Sequence, residues 1–209
     1  LGLEPTLELY LDHLVEIFRE VKRVMRKDAC FFLNIGDTYS ATRWSGTGKG
    51  QPMNKFKDGH RDINPQKQTG LPDKNLCLIP FRLAIRLQED GWWVRSVIIW
   101  NKPNPMPSSV TDRPSTSHEY ILMLTKSARY FWDAEAVREA NSDSDRTNFV
   151  SGSRIHGLNL DRNDNDLGER SKSFVANGRN LRSVWTFPTQ GYPEAHFATY
   201  PEKLVEICV

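Results

Sequence analysis

The stretch from Val94 to Pro107, VRSVIIWNKPNPMP, narrows the possible folds more than any other. Val94, Val97, Ile98, Ile99 and Trp100 make a near-continuous run of β-branched and aromatic residues. Such a run suits a strand covered on both faces. Pro103, Pro105 and Pro107 then follow at alternate positions. Each lacks a backbone N–H and fixes φ, so the ladder must stop, and the residue before each is pushed to extended geometry. The product is a stiff loop at a strand end, from which Asn101, Lys102 and Asn104 project. Strand ends of open α/β sheets are where such folds place their sites. A plain structural proline turn would use the same residues.

The flanking segments supply the rest of an α/β unit. Thr6 is placed to cap a helix whose apolar face runs Leu7, Leu11, Leu14, Phe18, Val21 and Met25, with basic residues gathered at its end. A short turn leads to a strand of buried type, Cys30 to Ile35, ended by Gly36-Asp37. A second helix is expected from Leu76 to Asp90, with Pro80 in its first turn, Gly91 as its stop, and Phe81, Ala84, Ile85 and Gln88 marking one face with Leu83 and Leu87 beside it. The strand ending at Trp100 follows, then a third, His118 to Lys126. About seventeen residues without a helical pattern separate those two strands, so they are expected to pair antiparallel. The expected fold is therefore α/β, a mostly parallel sheet with one antiparallel strand near an edge. Ser183 to Pro188 is extended, and Pro201-Glu202 opens a last helix.

Two polar stretches interrupt this order. Residues 40–75 are rich in Gly, Lys and Gln, with Trp44 and Phe56 interleaved among basic groups. About thirty-five residues is too long for a plain connection and suits either a nucleic-acid-contacting insert or disorder. Residues 141–180 mix Asp, Asn, Ser, Gly and Arg, so their charges largely cancel. The net charge of +2 decides nothing about partners, because clustering is what matters. Cys30, Cys77 and Cys208 are scattered in apolar surroundings and read as small hydrophobes in a reducing compartment. No apolar run reaches the ~18 residues of a membrane span. The five histidines are too dispersed for a sequence-local zinc site, and neither a phosphate loop nor a Gly-x-Ser-x-Gly motif is present. The chain opens without Met and stops at Val209 inside an apolar helical pattern, which reads as a piece of a longer protein.

Four segments together resemble the middle of the bacterial DNA amino-methyltransferases of the β-ordered group. They are LEPTLELYLDHLVEIFREVKRVMRKD, FFLNIGDTYS, GWWVRSVIIWNKPNPMPSSVTDRPSTSHEYILMLTKSARYFWD, and RSVWTFPT followed by AHFATYPEKLVEI. The resemblance implies an incomplete Rossmann-like methyltransferase sheet. It implies a methyl transfer from S-adenosyl-L-methionine to the exocyclic amine of cytosine (N4) or adenine (N6) in double-stranded DNA. It also implies a bacterial or phage-borne, cytoplasmic setting with a cognate restriction endonuclease as a companion. The family's Pro-Pro catalytic segment would lie upstream of Leu1, and its Gly-rich cofactor loop beyond Val209. On that reading this chain carries no catalytic residue of its own and is inactive alone.

The resemblance divides the chain into the central catalytic part (1–139), a target-recognition or mobile insert (140–182) and a return to the catalytic domain (183–209). It assigns Lys102, Asn104 and Pro105 to the target base or the DNA backbone. It assigns His196, Phe197 and Thr199 to the cofactor side, and Asn34 and Asp37 to the edge of the site. Simpler roles exist for several of them: Lys102 as a solvated loop lysine, Thr199 as a helix lead-in, Asp37 as a turn former. The competing functional reading is a non-catalytic DNA-binding module from a degenerate relative.

Overall fold

The computed structural model describes residues 1–2, 4–40, 69–140, 178–191 and 199–209. Most of both polar stretches, and His196 with Phe197, lie outside these residues. Helix α1 (Leu7–Val24) begins where Thr6 Oγ1 accepts the Leu9 N–H at 3.1 Å, and its buried face is Leu7, Leu11, Leu14, Val15 and Phe18. Strand β1 (Cys30–Ile35), helix α2 (Ile79–Glu89), strand β2 (Trp93–Asn101), strand β3 (His118–Thr125), strand β4 (Val184–Thr186) and helix α3 (Glu202–Cys208) follow.

The strands form a four-stranded sheet in the order β1-β3-β2-β4. β3 pairs antiparallel with both β1 and β2, while β2 and β4 are parallel. β1, β2 and β4 therefore run the same way and β3 alone is opposed, the mixed sheet the sequence predicts. β3 lies one place in from the edge and is paired on both sides. The hairpin expected between β2 and β3 is present.

Each sheet face carries its own apolar cluster. Helices α1 and α2 cover one face, where Leu11, Leu83 and Leu87 meet Leu122 and Leu124, with Phe31 and Leu33 packed against them. On the other face Ile98, Trp100, Ile121, Met123 and Trp185 surround Leu204 of α3. A bulge between Val94 and Ser96 shifts the β2 register against β3. Val94 therefore joins the helix-side cluster, while Ile98 and Trp100 join the other.

Three sequence expectations need correction. β2 is not covered along its length: Trp93 is 47% and Val97 37% exposed, because the helix-side cluster takes in only Val94 of this strand and the opposite cluster only Ile98 and Trp100. The buried face of α2 is Ile79, Leu83 and Leu87. Phe81 and Ile85 point away from that face, and Phe81 instead meets Tyr120 edge-on with centroids 4.9 Å apart. Last, α2 starts at Ile79 rather than Leu76. Leu76 is bridged to Tyr39, and Leu78 takes a left-handed conformation with φ 57°.

That left-handed residue has no side chain able to cap, and Asp37 substitutes for it. Its Oδ1 accepts the Ile79 N–H at 3.1 Å and the Thr38 N–H at 2.8 Å. A carboxylate from the end of β1 thereby fixes where α2 begins, with the sign the helix dipole favours. Asp37→Ala is expected to lower stability by about 1 kcal/mol, with Asp37→Asn losing less, as urea unfolding midpoints would show.

Candidate functional site

Because β1, β2 and β4 point the same way, their carboxyl ends share one end of the sheet. Asn34, Asp37, Lys102, Asn104 and Pro105 are all carried there, far apart in sequence. The described part of the first insert's neck also opens there. Ser40 N–H donates to Asn75 O at 2.7 Å, Lys74 N–H to Ser40 O at 2.8 Å and Cys77 N–H to Thr38 O at 2.9 Å. The Ser40 hydroxyl reaches Thr69 Oγ1 at 2.7 Å. The chain thus leaves and re-enters the fold through a closed pair of feet.

Most of the sequence-predicted residues already have an internal role. Lys102 Nζ pairs with Glu119 and lies 4.4 Å from the Trp100 ring centroid. A strand-end carboxylate and an aromatic face hold the ammonium where it is. Asn104 makes two bonds to Thr189, donating through Nδ2 at 3.2 Å and accepting the Thr189 N–H at 3.1 Å. One residue on, Gln190 Oε1 accepts the Glu202 N–H at 3.3 Å. Asn104 thereby ties the proline loop to the segment that leads into α3. Pro105 is half-buried and Thr199 exposed. Asn34 Nδ2 donates to Tyr120 O at 3.1 Å across the sheet. Asp37 Oδ2 is buried and has no partner among the described residues.

The aromatic surroundings of this sheet end are less legible in sequence. Trp100 stacks on Phe187 with centroids 5.4 Å apart, and its Nε1–H donates to Phe187 O at 3.0 Å. His118 meets Tyr120 edge-on at 5.0 Å. Tyr39 carries the Arg113 guanidinium 3.9 Å above its ring centroid. Tyr39 and Arg113 are separated by the first insert and the two middle elements. The signal that could have found them is weak: an aromatic just past the end of β1, and an Arg within the β2–β3 connection.

The feet of the second excursion are closed too. Glu139 and Arg179 exchange backbone hydrogen bonds, both at 2.9 Å. Glu139 Oε2 accepts the Arg179 and Arg182 Nε–H groups at 2.9 Å each, and Oε1 accepts the Arg182 N–H at 3.1 Å. This neck leads straight into the start of β4 rather than to the shared strand ends. Gly178 sits in it with φ +77°, and a Cβ there would come within 2.5 Å of Glu139 O. Only glycine fits that approach.

All three thiols are held in their protonated form more firmly than a free cysteine. Burial raises the Cys30 and Cys77 thiols and pushes Cys208 up to about 11. Among the described residues no three His, Cys, Asp or Glu side chains gather where they could hold a metal ion, and no helix is long and apolar enough to cross a membrane.

Known proteins resemble this chain along its whole length. A family model described as DNA methylase, of the N6/N4 type, matches residues 2–209. The type II methyltransferase M.XycI of Xanthomonas campestris pv. cyanopsidis is 40% identical over 209 residues, covering 100% of this chain and 58% of that protein. M.SmaI of Serratia marcescens is 35% identical over 209 residues, covering 100% of this chain and 60% of that protein. The solved structure of TTHA0409 from Thermus thermophilus, complexed with S-adenosyl-L-methionine, is 17% identical with a TM-score of 0.43, covering 88% of this chain and 52% of that one. The chain belongs to the N6/N4 DNA methylase family. It spans about three-fifths of the length of the type II methyltransferases it matches.

The Glu139 clamp makes a prediction. Burial works against its carboxylate, but the Arg182 N–H and the two guanidiniums outweigh it, holding the group below the ordinary glutamate range. A depressed folded-state value means the stabilisation is present above the unfolded value of about 4.3 and is lost as pH falls through the lower folded one. Amide hydrogen exchange at Arg179 and Arg182 is expected to speed up in that acid window beyond the intrinsic rate change. Glu139→Gln should flatten the effect.

Proposed function

We propose that this chain is the central part of a DNA amino-methyltransferase, which moves a methyl group from S-adenosyl-L-methionine to the exocyclic amine of cytosine (N4) or adenine (N6) in duplex DNA. The observation that carries the reading is the family match from residue 2 to residue 209. The meeting of the proline loop, the end of β1 and the β4–α3 segment at one sheet end supports it. The bacterial type II relatives favour a cytoplasmic enzyme paired with a cognate restriction endonuclease.

The chemistry explains why such a sheet end is needed. An amine conjugated to a base ring is a weak nucleophile, so transfer depends on in-line positioning and on acceptors for its N–H groups. The base must leave the duplex to be reached. A stiff loop braced by Pro103, Pro105 and Pro107 and pinned through Asn104 is suited to form one wall of a pocket for it. Lys102 and Pro105 are the other contacts that loop offers to the base or its backbone. Glu119 and Trp100 hold the Lys102 ammonium in place beforehand, so little side-chain freedom is lost on binding.

The described residues do not assemble a cofactor site. Asp37 Oδ2 is a single buried acceptor, and Thr199 stands exposed before α3. S-adenosyl-L-methionine, when bound, supplies the methyl group. His196, Phe197 and Thr199 form the cofactor side of this reading. Residues 140–182 form its target-recognition insert, flanked by the catalytic parts 1–139 and 183–209.

The test compares this 209-residue chain with the full-length protein that contains it. The full-length protein should bind S-adenosyl-L-methionine by calorimetry and methylate duplex DNA, and mass spectrometry of the digested nucleosides should read out which base is modified. The chain alone should do neither. Turnover by the isolated chain would refute its proposed inactivity. DNA binding without methylation by the full-length protein would favour the non-catalytic module.

A further inference from the structure

A cleft of about 1090 Å³ lies between the neck of the first insert and the far part of the β2–β3 connection. Its walls carry Tyr39, Lys74, Asn75, Ser109, Thr111 and Arg113. None of these carries a role in the proposed function. The cleft opens beside the carboxyl ends of β1 and β2, so it adjoins the proposed methylation site without sharing its residues.

The charges in the cleft are unequally committed. Lys74 Nζ is bound to Asp112 Oδ2 at 2.6 Å, and it also feels the neighbouring Asp73. That pair ties the two walls together and cancels itself. Arg113 forms no ion pair with a carboxylate among the described residues. Its one side-chain hydrogen bond among them is a long one, from Nη1 to Pro114 O at 3.4 Å. Its guanidinium lies over Tyr39 with Cζ 3.9 Å from the ring centroid, and the residue is half-buried. An arginine fixed by stacking keeps its edge donors free in one plane and loses little rotamer freedom when it is used. Planar forks of that kind match two oxygens of a phosphate. The hydroxyls of Ser109 and Thr111 and the Asn75 amide add neutral donors on the same walls.

We infer that Arg113, seated on Tyr39, is a DNA-positioning residue that grips a backbone phosphate beside the target nucleotide. The inference rests on the methyltransferase reading. It places both parts of the β2–β3 connection against the duplex, the proline loop near the base and Arg113 on the backbone. Phosphate contacts of this sort orient a protein on DNA without reading sequence.

The experiment uses the full-length protein and measures duplex binding by fluorescence anisotropy across a salt series, for cognate and unrelated sequences. Arg113→Ala should weaken binding about tenfold on both sequences and reduce the slope of log K against log salt by about one. Calorimetric binding of S-adenosyl-L-methionine should not change. Arg113→Lys should restore the salt slope but not the full affinity, and Tyr39→Leu should weaken binding while leaving the charge in place. If Arg113→Ala is poorly folded, Arg113→Gln, which keeps a planar group over Tyr39, is the variant that decides. Unchanged affinity and slope in a folded charge-removing variant would overturn the inference while leaving the methyltransferase reading intact. A loss confined to the cognate sequence would overturn it too, by making Arg113 a base reader. Wild-type protein that binds no duplex would sink the DNA reading and this inference together.

Discussion

Strand β3 hydrogen-bonds along both of its edges, to β1 on one side and β2 on the other, and buries both of its faces. Leu122 and Leu124 are closed under α1 and α2, while Ile121 and Met123 face the cluster around Trp185 and Leu204. Its interior residues therefore satisfy two apolar cores and two hydrogen-bond ladders at once. At about 1.5–3 kcal/mol for each fully buried large side chain, this strand concentrates much of the burial that holds the sheet together. It also has a directional consequence. Opposed to both neighbours, β3 lets β1 and β2 run the same way with only a hairpin between β2 and β3. The strand ends that carry polar groups are thereby gathered at one end of the sheet.

Polar side chains then set the geometry of that end. Asp37 carries the start of α2, Asn34 reaches across to a β3 carbonyl, Glu119 restrains Lys102, and Asn104 fastens the proline loop to Thr189. A network made of such bonds has few loose members, which is what positioning chemistry requires. Both long excursions leave this frame through closed feet, one sealed by backbone bonds around Ser40 and the other by Glu139. Loop-closure cost grows slowly with length once the feet are held, so inserts of this size are compatible with an intact frame.

Much of the architecture was legible in the chain. The α1 cap at Thr6, the buried character of β3, the β2–β3 hairpin and the single opposed strand all follow from patterns that the structure retains. β1, expected as a buried strand, is only half-buried along its length because it lies at the edge of the described sheet. Periodicity does not pick the buried face of α2, because Phe81 and Ile85 make as good a helical stripe as the neighbouring Ile79, Leu83 and Leu87 until it is known where the sheet lies. Coverage of β2 was overestimated for a related reason. Apolar content shows that a strand can be buried, but only the placement of the helices shows which part is.

The sequence by itself determined the element types, the strand stop at Pro103 and the family, since periodicity, proline chemistry and motif order are properties of short or collinear segments. Tertiary structure alone decided that Asp37 caps a helix about forty residues away, that Asn104 is pinned to Thr189, and that Arg113 rests on Tyr39. Those pairings join residues separated by inserts and strands. No local propensity encodes them; they exist because the sheet topology brings distant strand ends to one end of the sheet.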